Sequence, residues 1–185
     1  MRVISGTARG KKLVSLEGLE TRPTLDRVKE ALFNILQFDI KNANVLDLFS
    51  GSGALGIEAL SRGADKAVFC DSSKKAYEVI NKNIEATRLK DKSKLLNKDY
   101  LEVLKFLKDE SEKFDIIFLD PPYKTDYIFK SIEKIIEYDL LAEEGIIVAE
   151  TDDEDKIEKI KKIQNIEIYD ARKYGIVNII FIRKE

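Results

Sequence analysis

The stretch Val45 to Gly56, V-L-D-L-F-S-G-S-G-A-L-G, constrains this chain more than any other. Its apolar run from Val45 to Phe49 suits a short strand covered on both faces, as in the interior of a parallel sheet. Gly51, Ser52 and Gly53 then allow a tight turn in which the backbone can approach a ligand. A helix starting near Ala54 presents free N–H groups to the same place. Strand, small-residue turn and helix, in that order, open a doubly wound α/β fold. Gly51, Gly53 and Gly56 fit G-x-G-x-x-G, and Asp71 follows Gly51 by twenty residues, at the end of the next apolar run. That is also the dinucleotide fingerprint, so the glycines alone do not choose the ligand.

Asp47 narrows the choice. A carboxylate four residues before Gly51 repels a pyrophosphate seated on the turn. S-adenosylmethionine carries no phosphate, and its sulfonium and ammonium outweigh its carboxylate, so an acid-lined pocket suits it. The competing reading is a glycine turn in an α/β protein of another purpose.

The remainder of the chain continues the alternation. Helices are expected over 54–62, 74–87, 100–108, 127–137 and 154–163, and strands over 66–71, 93–97, 114–119, 146–150, 166–172 and 176–183. Tyr174–Gly175 reads as a hairpin turn, which makes one edge strand antiparallel. The fold class is therefore α/β with a mostly parallel seven-stranded sheet and helices on both faces. Ahead of it, Met1–Ser5 and Lys12–Leu16 read as a β-hairpin. Thr24 reads as the N-cap of a helix to about Phe38, with Leu25, Val28, Leu32, Ile35 and Leu36 on one face.

At 185 residues the chain reads as one domain, with 1–40 as an extension and 41–185 as the core. No apolar run approaches a membrane span and no signal-peptide pattern opens the chain, which points to the cytoplasm and to no membrane partner. There is no histidine and a single cysteine, Cys70, within an apolar run. A His base, a Cys-based metal site and a disulfide are excluded, and no metal is expected. Residues 1–12 carry Arg2, Arg9, Lys11 and Lys12 with no acid, whereas Glu143–Glu158 holds eight acids against one Lys. A basic end of this kind suits an RNA phosphate backbone or is ordinary surface scatter.

A second motif, Asp120-Pro121-Pro122-Tyr123, follows the apolar run F-D-I-I-F-L. It falls at the carboxyl end of a strand, where open α/β sheets bind ligands. An exocyclic amine on a flat ring is a poor nucleophile because its lone pair is delocalised. The Asp120 carboxylate and the Pro121 carbonyl can accept its two N–H groups and relocalise that pair. Pro122 stiffens the turn and offers no competing N–H, and Tyr123 can stack on the ring. The alternative is a Pro-Pro strand terminator with a surface tyrosine.

Together, D-L-F-S-G-S-G and D-P-P-Y resemble the amino-directed class of S-adenosylmethionine-dependent methyltransferases. M-R-V-I-S-G, R-G-K-K-L and R-P-T-L-D-R-V-K-E-A-L-F-N narrow the resemblance to the bacterial RsmD family. That family methylates the exocyclic amine of a guanine in 16S ribosomal RNA, within the small subunit or its assembly intermediate. The resemblance implies a Rossmann-like class I methyltransferase fold acting as a monomer. It also implies catalytic roles for Asp120, Pro121, Pro122 and Tyr123. Cofactor contacts are implied for Asp47, Phe49, Ser50, Gly51, Ser52 and Gly53, with Asp71 on the ribose and Asp99 near the adenine. Asp99 equally suits a helix N-cap. The family more often has Glu where Asp71 stands. Arg22, Thr24 and Arg27 are implied to meet the RNA, with Arg9, Lys11 and Lys12 on its phosphates, although Arg22, Asp26 and Arg27 could equally form a helix-start ion network. Rival readings are an adenine-directed DNA methyltransferase and a non-catalytic RNA-binding factor.

Overall fold

A computed structural model describes residues 1–16, 23–122 and 125–185. In chain order the elements are α1 (Pro23–Ile35), β1 (Asn44–Asp47), α2 (Ala54–Ser61), β2 (Lys66–Cys70), α3 (Lys74–Thr87), β3 (Ser93–Leu96) and α4 (Tyr100–Asp109). They continue as β4 (Phe114–Leu119), α5 (Tyr127–Glu137), β5 (Leu141–Thr151), α6 (Glu154–Ile160), β6 (Ile166–Tyr174) and β7 (Val177–Lys184). The strands form one seven-stranded sheet in the order β3-β2-β1-β4-β5-β7-β6. The first five strands in sequence run parallel, and β7 is antiparallel to both of its neighbours.

The strand pattern follows from alternation with both faces covered. Val45, Ile116, Phe118, Ile179 and Phe181 point to one face, where Leu32, Phe33, Ile57, Leu60, Ile80 and Ile84 of α1, α2 and α3 cover them. Leu46, Ile117, Leu119, Ile180 and Ile182 point to the other, against Val103, Leu104, Leu107, Ile128, Ile132, Ile135 and Ile160 of α4, α5 and α6. The order of the last two strands differs from the sequence expectation of a reversed edge strand. The reversed strand is β7, one position in from the edge. Its run Ile179–Ile182 is buried on both faces, whereas β6 alternates between covered and exposed residues and can tolerate the edge.

Several boundaries also move. β1 ends at Asp47 rather than Phe49, β5 begins at Leu141 rather than Ile146, and α6 ends at Ile160 rather than Ile163. Thr24 does not cap α1: the helix already includes Pro23, a residue suited to the first helical turn, and it ends at Ile35 rather than near Phe38.

Residues 1–16 form the expected hairpin only in part. Arg2 and Lys12 make an antiparallel bridge, flanked by the Val3 N–H on the Lys11 carbonyl at 2.9 Å, the Gly10 N–H on the Val3 carbonyl at 2.9 Å and the Leu13 N–H on the Met1 carbonyl at 3.0 Å. Other backbone donors of the segment go to α2. The Ile4 and Ser5 N–H groups donate to the Glu58 carboxylate at 2.8 and 3.0 Å. The Ala8 N–H donates to Ser61 Oγ at 2.9 Å, and Ser61 Oγ donates to the Ser5 carbonyl at 2.6 Å. Gly6 makes this close approach possible: its φ is +84°, and an added Cβ would lie 1.7 Å from the Ser61 carbonyl oxygen.

Glu58 is fully buried and also takes Arg62 Nε at 2.8 Å and Lys29 Nζ at 3.3 Å. Lys29 itself is buried and donates to the Arg2 carbonyl at 2.6 Å. Burial lowers the Lys29 pKa, and the Glu58 charge and hydrogen bond act against that shift. One carboxylate thus holds together α1, α2 and the N-terminal segment. Glu58→Ala leaves the Lys29 ammonium buried without its partner, and a loss of about 3–5 kcal/mol is expected. Equilibrium urea denaturation measures it, and a loss under about 1 kcal/mol would show that the network carries little of the stability.

Candidate active site

Winding reverses between β1 and β4, neighbours in the sheet whose chains continue to opposite sides of it. Such a reversal opens a crevice at the carboxyl ends of the strands. Register places the two motifs across this crevice. Asp47 pairs with Phe118, so Phe49 lies level with Asp120, and Leu119 pairs with Ala149, so Asp120 lies level with Glu150.

The glycine turn is fixed by acids rather than left with a row of free amides. Asp47 Oδ2 accepts the Gly56 N–H at 3.1 Å, inside the first turn of α2. Asp71 Oδ2 accepts the Gly51 N–H at 2.9 Å, and Asp71 Oδ1 accepts the Ser73 N–H at 2.9 Å. Ser50 Oγ donates to the Asp47 carbonyl at 2.7 Å and accepts the Cys70 N–H at 3.0 Å, tying the ends of β1 and β2. Its hydroxyl is therefore occupied within the protein. Gly51 and Gly53 take φ of +55° and +78°, and an added Cβ on Gly51 would meet nothing within 4 Å, so the outer side of the turn is open. Gly56 is needed for packing, since a Cβ there would come within 2.4 Å of the Phe69 ring.

Asp47 is buried, and its carboxyl is pushed up to about 7. Loss of hydration is the main cause, the Gly56 hydrogen bond opposes it, and the Asp71 charge adds to it. Asp120 is exposed at the carboxyl end of β4, and the protein around it strips part of its hydration. That loss of hydration, with Glu150 and then Asp47 as charged neighbours, holds its carboxyl well above the ordinary range. The same acid field reaches Cys70, whose thiol is raised first by burial and then by Asp71, Asp47 and Asp99. Acids that raise one another favour a cationic ligand, whose charge relieves the repulsion.

Asp99 is exposed and caps α4, its Oδ1 accepting the Leu101 N–H at 2.9 Å. Phe49 stands in an aromatic group with Tyr100 and Tyr127, at ring-centroid distances of 5.3 and 6.2 Å, and Tyr100 and Tyr127 are 4.8 Å apart. After the second motif, the Thr125 N–H and Oγ1 both donate to the Pro122 carbonyl, at 3.2 and 2.7 Å, which closes the chain into α5. Pro121 is buried and Pro122 exposed. Tyr123 and Arg22 lie outside the described residues.

The crevice thus gathers Asp47, the Phe49–Gly53 turn, Asp71 and Asp120–Pro122, with Asp99 at its β3 border. The basic residues form a separate group. Arg9, Lys11, Lys12 and Arg27 are exposed on the N-terminal segment and α1. Arg2, Arg9, Asp26, Arg27 and Glu30 line a shallow cavity of about 420 Å³ there. Asp26 faces Arg2 at 4.0 Å.

Three contributors escape the motifs: Glu58, Glu150 and Asn83 of α3, whose Nδ2 donates to the Ser52 carbonyl at 2.8 Å. Glu58 and Asn83 did leave a signal, as polar residues on helix faces otherwise given to the core. Among the described residues no helix is long and apolar enough to cross a membrane, and no group of three or more His, Cys, Asp or Glu is placed to hold a metal.

Comparison with known proteins places relatives around this geometry. Residues 1–183 match the family described as "Conserved hypothetical protein 95". A Bacillus subtilis protein named "Putative rRNA methyltransferase YlbH" is 37% identical over 184 residues, covering 100% of this chain and 99% of its own. The Haemophilus influenzae "Ribosomal RNA small subunit methyltransferase D" is 37% identical over 153 residues, 82% of this chain and 79% of its own. A solved structure titled "Putative methyltransferase yhhF from Escherichia coli" is 30% identical, with a TM-score of 0.84 over 100% of this chain and 98% of its own.

The Asp47 environment has a measurable consequence. The group binds its proton more tightly folded, near 7, than its ordinary 3.8. The stability it contributes is therefore fully present below about pH 4 and is lost as pH rises through about 7. Asp47→Asn keeps an acceptor for Gly56 and removes the titration. The expected result is a flatter stability–pH profile across that window in urea denaturation, and a slope identical to the parent's would refute the assignment.

Proposed function

Because the chain belongs to the family described as "Conserved hypothetical protein 95", the RsmD family of the sequence resemblance, we infer that it is a methyltransferase. In this reading it moves a methyl group from S-adenosylmethionine to the exocyclic N2 amine of a guanine in 16S ribosomal RNA of the small subunit. The observation that carries the reading is the pairing across the winding reversal: the glycine turn with Asp71 on one side, Asp120-Pro121 on the other, level with Phe49. The names of the relatives support ribosomal RNA as the acceptor.

The acid cluster fits a ligand with sulfonium and ammonium charge, and the open outer side of the turn gives it room. Asp71 keeps lone pairs beyond those given to Gly51 and Ser73, enough to accept from a ribose diol. When bound, S-adenosylmethionine supplies an electrophilic methyl group on a positively charged sulfur. The protein's work is to place the amine. Asp120 and the Pro121 carbonyl accept its two N–H groups and turn the nitrogen lone pair out of the ring plane. That nitrogen would take the methyl carbon of the bound cofactor as the C–S bond broke, the electron pair of that bond staying on sulfur. The nitrogen gives its surplus proton to the Asp120 carboxylate or to water. Positioning and electrostatics supply the rate, without a strong base. The target base must leave its stack to reach this edge, with Tyr123 as its stacking partner. Arg9, Lys11, Lys12, Arg22, Thr24 and Arg27 take the surrounding RNA.

Transfer of a labelled methyl group to small ribosomal subunits lacking the modification, followed by nucleoside analysis, tests the reading. Label in N2-methylguanosine is expected, and label in adenine would overturn the base assignment. Asp120→Ala is expected to cut turnover by about 100-fold or more with S-adenosylhomocysteine affinity largely kept. Near-parental turnover removes Asp120 from the chemistry. Asp71→Ala is expected to weaken cofactor binding by about tenfold or more in calorimetry, by losing the diol acceptor and loosening Gly51. An unchanged Kd takes Asp71 off the ribose.

A further inference from the structure

Asn83 joins two regions that the motifs treat separately. It lies on α3, 1% exposed. Its Oδ1 accepts the Val14 N–H at 2.7 Å and its Nδ2 donates to the Val14 carbonyl at 2.9 Å, pairing both backbone groups of a residue in the basic N-terminal segment. The same Nδ2 donates to the Ser52 carbonyl at 2.8 Å, in the middle of the glycine turn. On the opposite side of that turn the Gly51 N–H donates to Asp71. The turn is thus suspended between a carboxylate facing the crevice and an amide fastened to the N-terminal segment. Met1 gives a second link, its Sδ 3.9 Å from Ser52 Oγ.

The other arm of the segment is equally anchored, through Ile4 and Ser5 on Glu58 and Ala8 on Ser61. Arg9, Lys11 and Lys12 therefore stand exposed on a piece of chain whose two ends are held to α2 and to the turn. We infer that Asn83 is a positioning residue that couples RNA engagement by residues 1–16 to cofactor binding at Gly51–Gly53, each event favouring the other; this rests on the RNA methyl-transfer reading above. A buried amide cannot exchange its partners for bulk water. A shift of Ser52 away from Asn83 leaves a donor unsatisfied and strains the Val14 pair. Cofactor seated on the turn favours the arrangement in which both links are made, and that arrangement holds the segment ready for RNA. RNA ordering the segment favours the cofactor by the same factor, because binding couplings are reciprocal.

Amide hydrogen exchange on the unaltered protein, with S-adenosylhomocysteine as the probe and no RNA present, tests the link. Exchange at Val14 and Val3 is expected to slow by about fivefold or more. Slowing confined to residues 50–57 overturns the coupling and leaves cofactor binding intact. No slowing anywhere means that the probe does not bind, and then the methyl-transfer reading fails as well. A second measurement uses the ratio of S-adenosylhomocysteine Kd values without and with a small-subunit rRNA transcript. That ratio is expected to be about five or more for the parent and about 1 for Asn83→Ala. Equal ratios in the two proteins refute the role, and a merely structural defect would lower both affinities without changing the ratio.

Discussion

The site depends first on the reversal of winding between β1 and β4. Two adjacent parallel strands send their chains to opposite sides of the sheet, so neither connection covers the crevice between their carboxyl ends. Backbone pairing sets the rest by register. With Asp47 against Phe118, the residues leaving β1 and those leaving β4 emerge side by side, and Asp120 comes level with Phe49 and Glu150. A slip of one residue would turn Ile116 and Ile117 to the wrong faces and bury Asp120 among apolar helices. The apolar alternation that builds the two core layers thus also aims the acids.

Charge is the second constraint, and it is used in two opposite ways. Glu58 is buried with its cations: Lys29 and Arg62 neutralise it, and backbone N–H groups of Ile4 and Ser5 satisfy its remaining lone pairs. That arrangement is what makes a buried carboxylate tolerable. At the crevice, Asp47 and Asp120 feel other carboxylates. Positive charge on a ligand seated there would relieve part of that electrostatic cost. The acid of the core network and the acids of the crevice differ in their neighbours, not in their chemistry.

The N-terminal segment connects these two regimes. Glu58 holds one arm, while Asn83 holds the other and the glycine turn together. A short hairpin is thereby fastened to the core, because some of its backbone groups spend their hydrogen bonds on side chains of α2 and α3.

The alternation of apolar and polar residues and the turn glycines were enough to read a mostly parallel seven-stranded α/β sheet, the five central helices and the two motifs at strand ends. Those features rest on local periodicity and on residues such as Gly51 and Gly53, whose backbone conformations few other residues adopt. Tertiary structure alone decided which polar group answers which. Asp47 faces the Gly56 N–H, Ser50 spends its hydroxyl between β1 and β2, and residues 1–16 bond to α2 as well as pairing across their own short hairpin. The same holds for the inner place of β7, which depends on comparing the burial of two strands rather than on either one alone. Glu58 and Asn83 bond to residues more than fifty positions away, and no pattern within a helical window encodes a partner that only the closed sheet brings near.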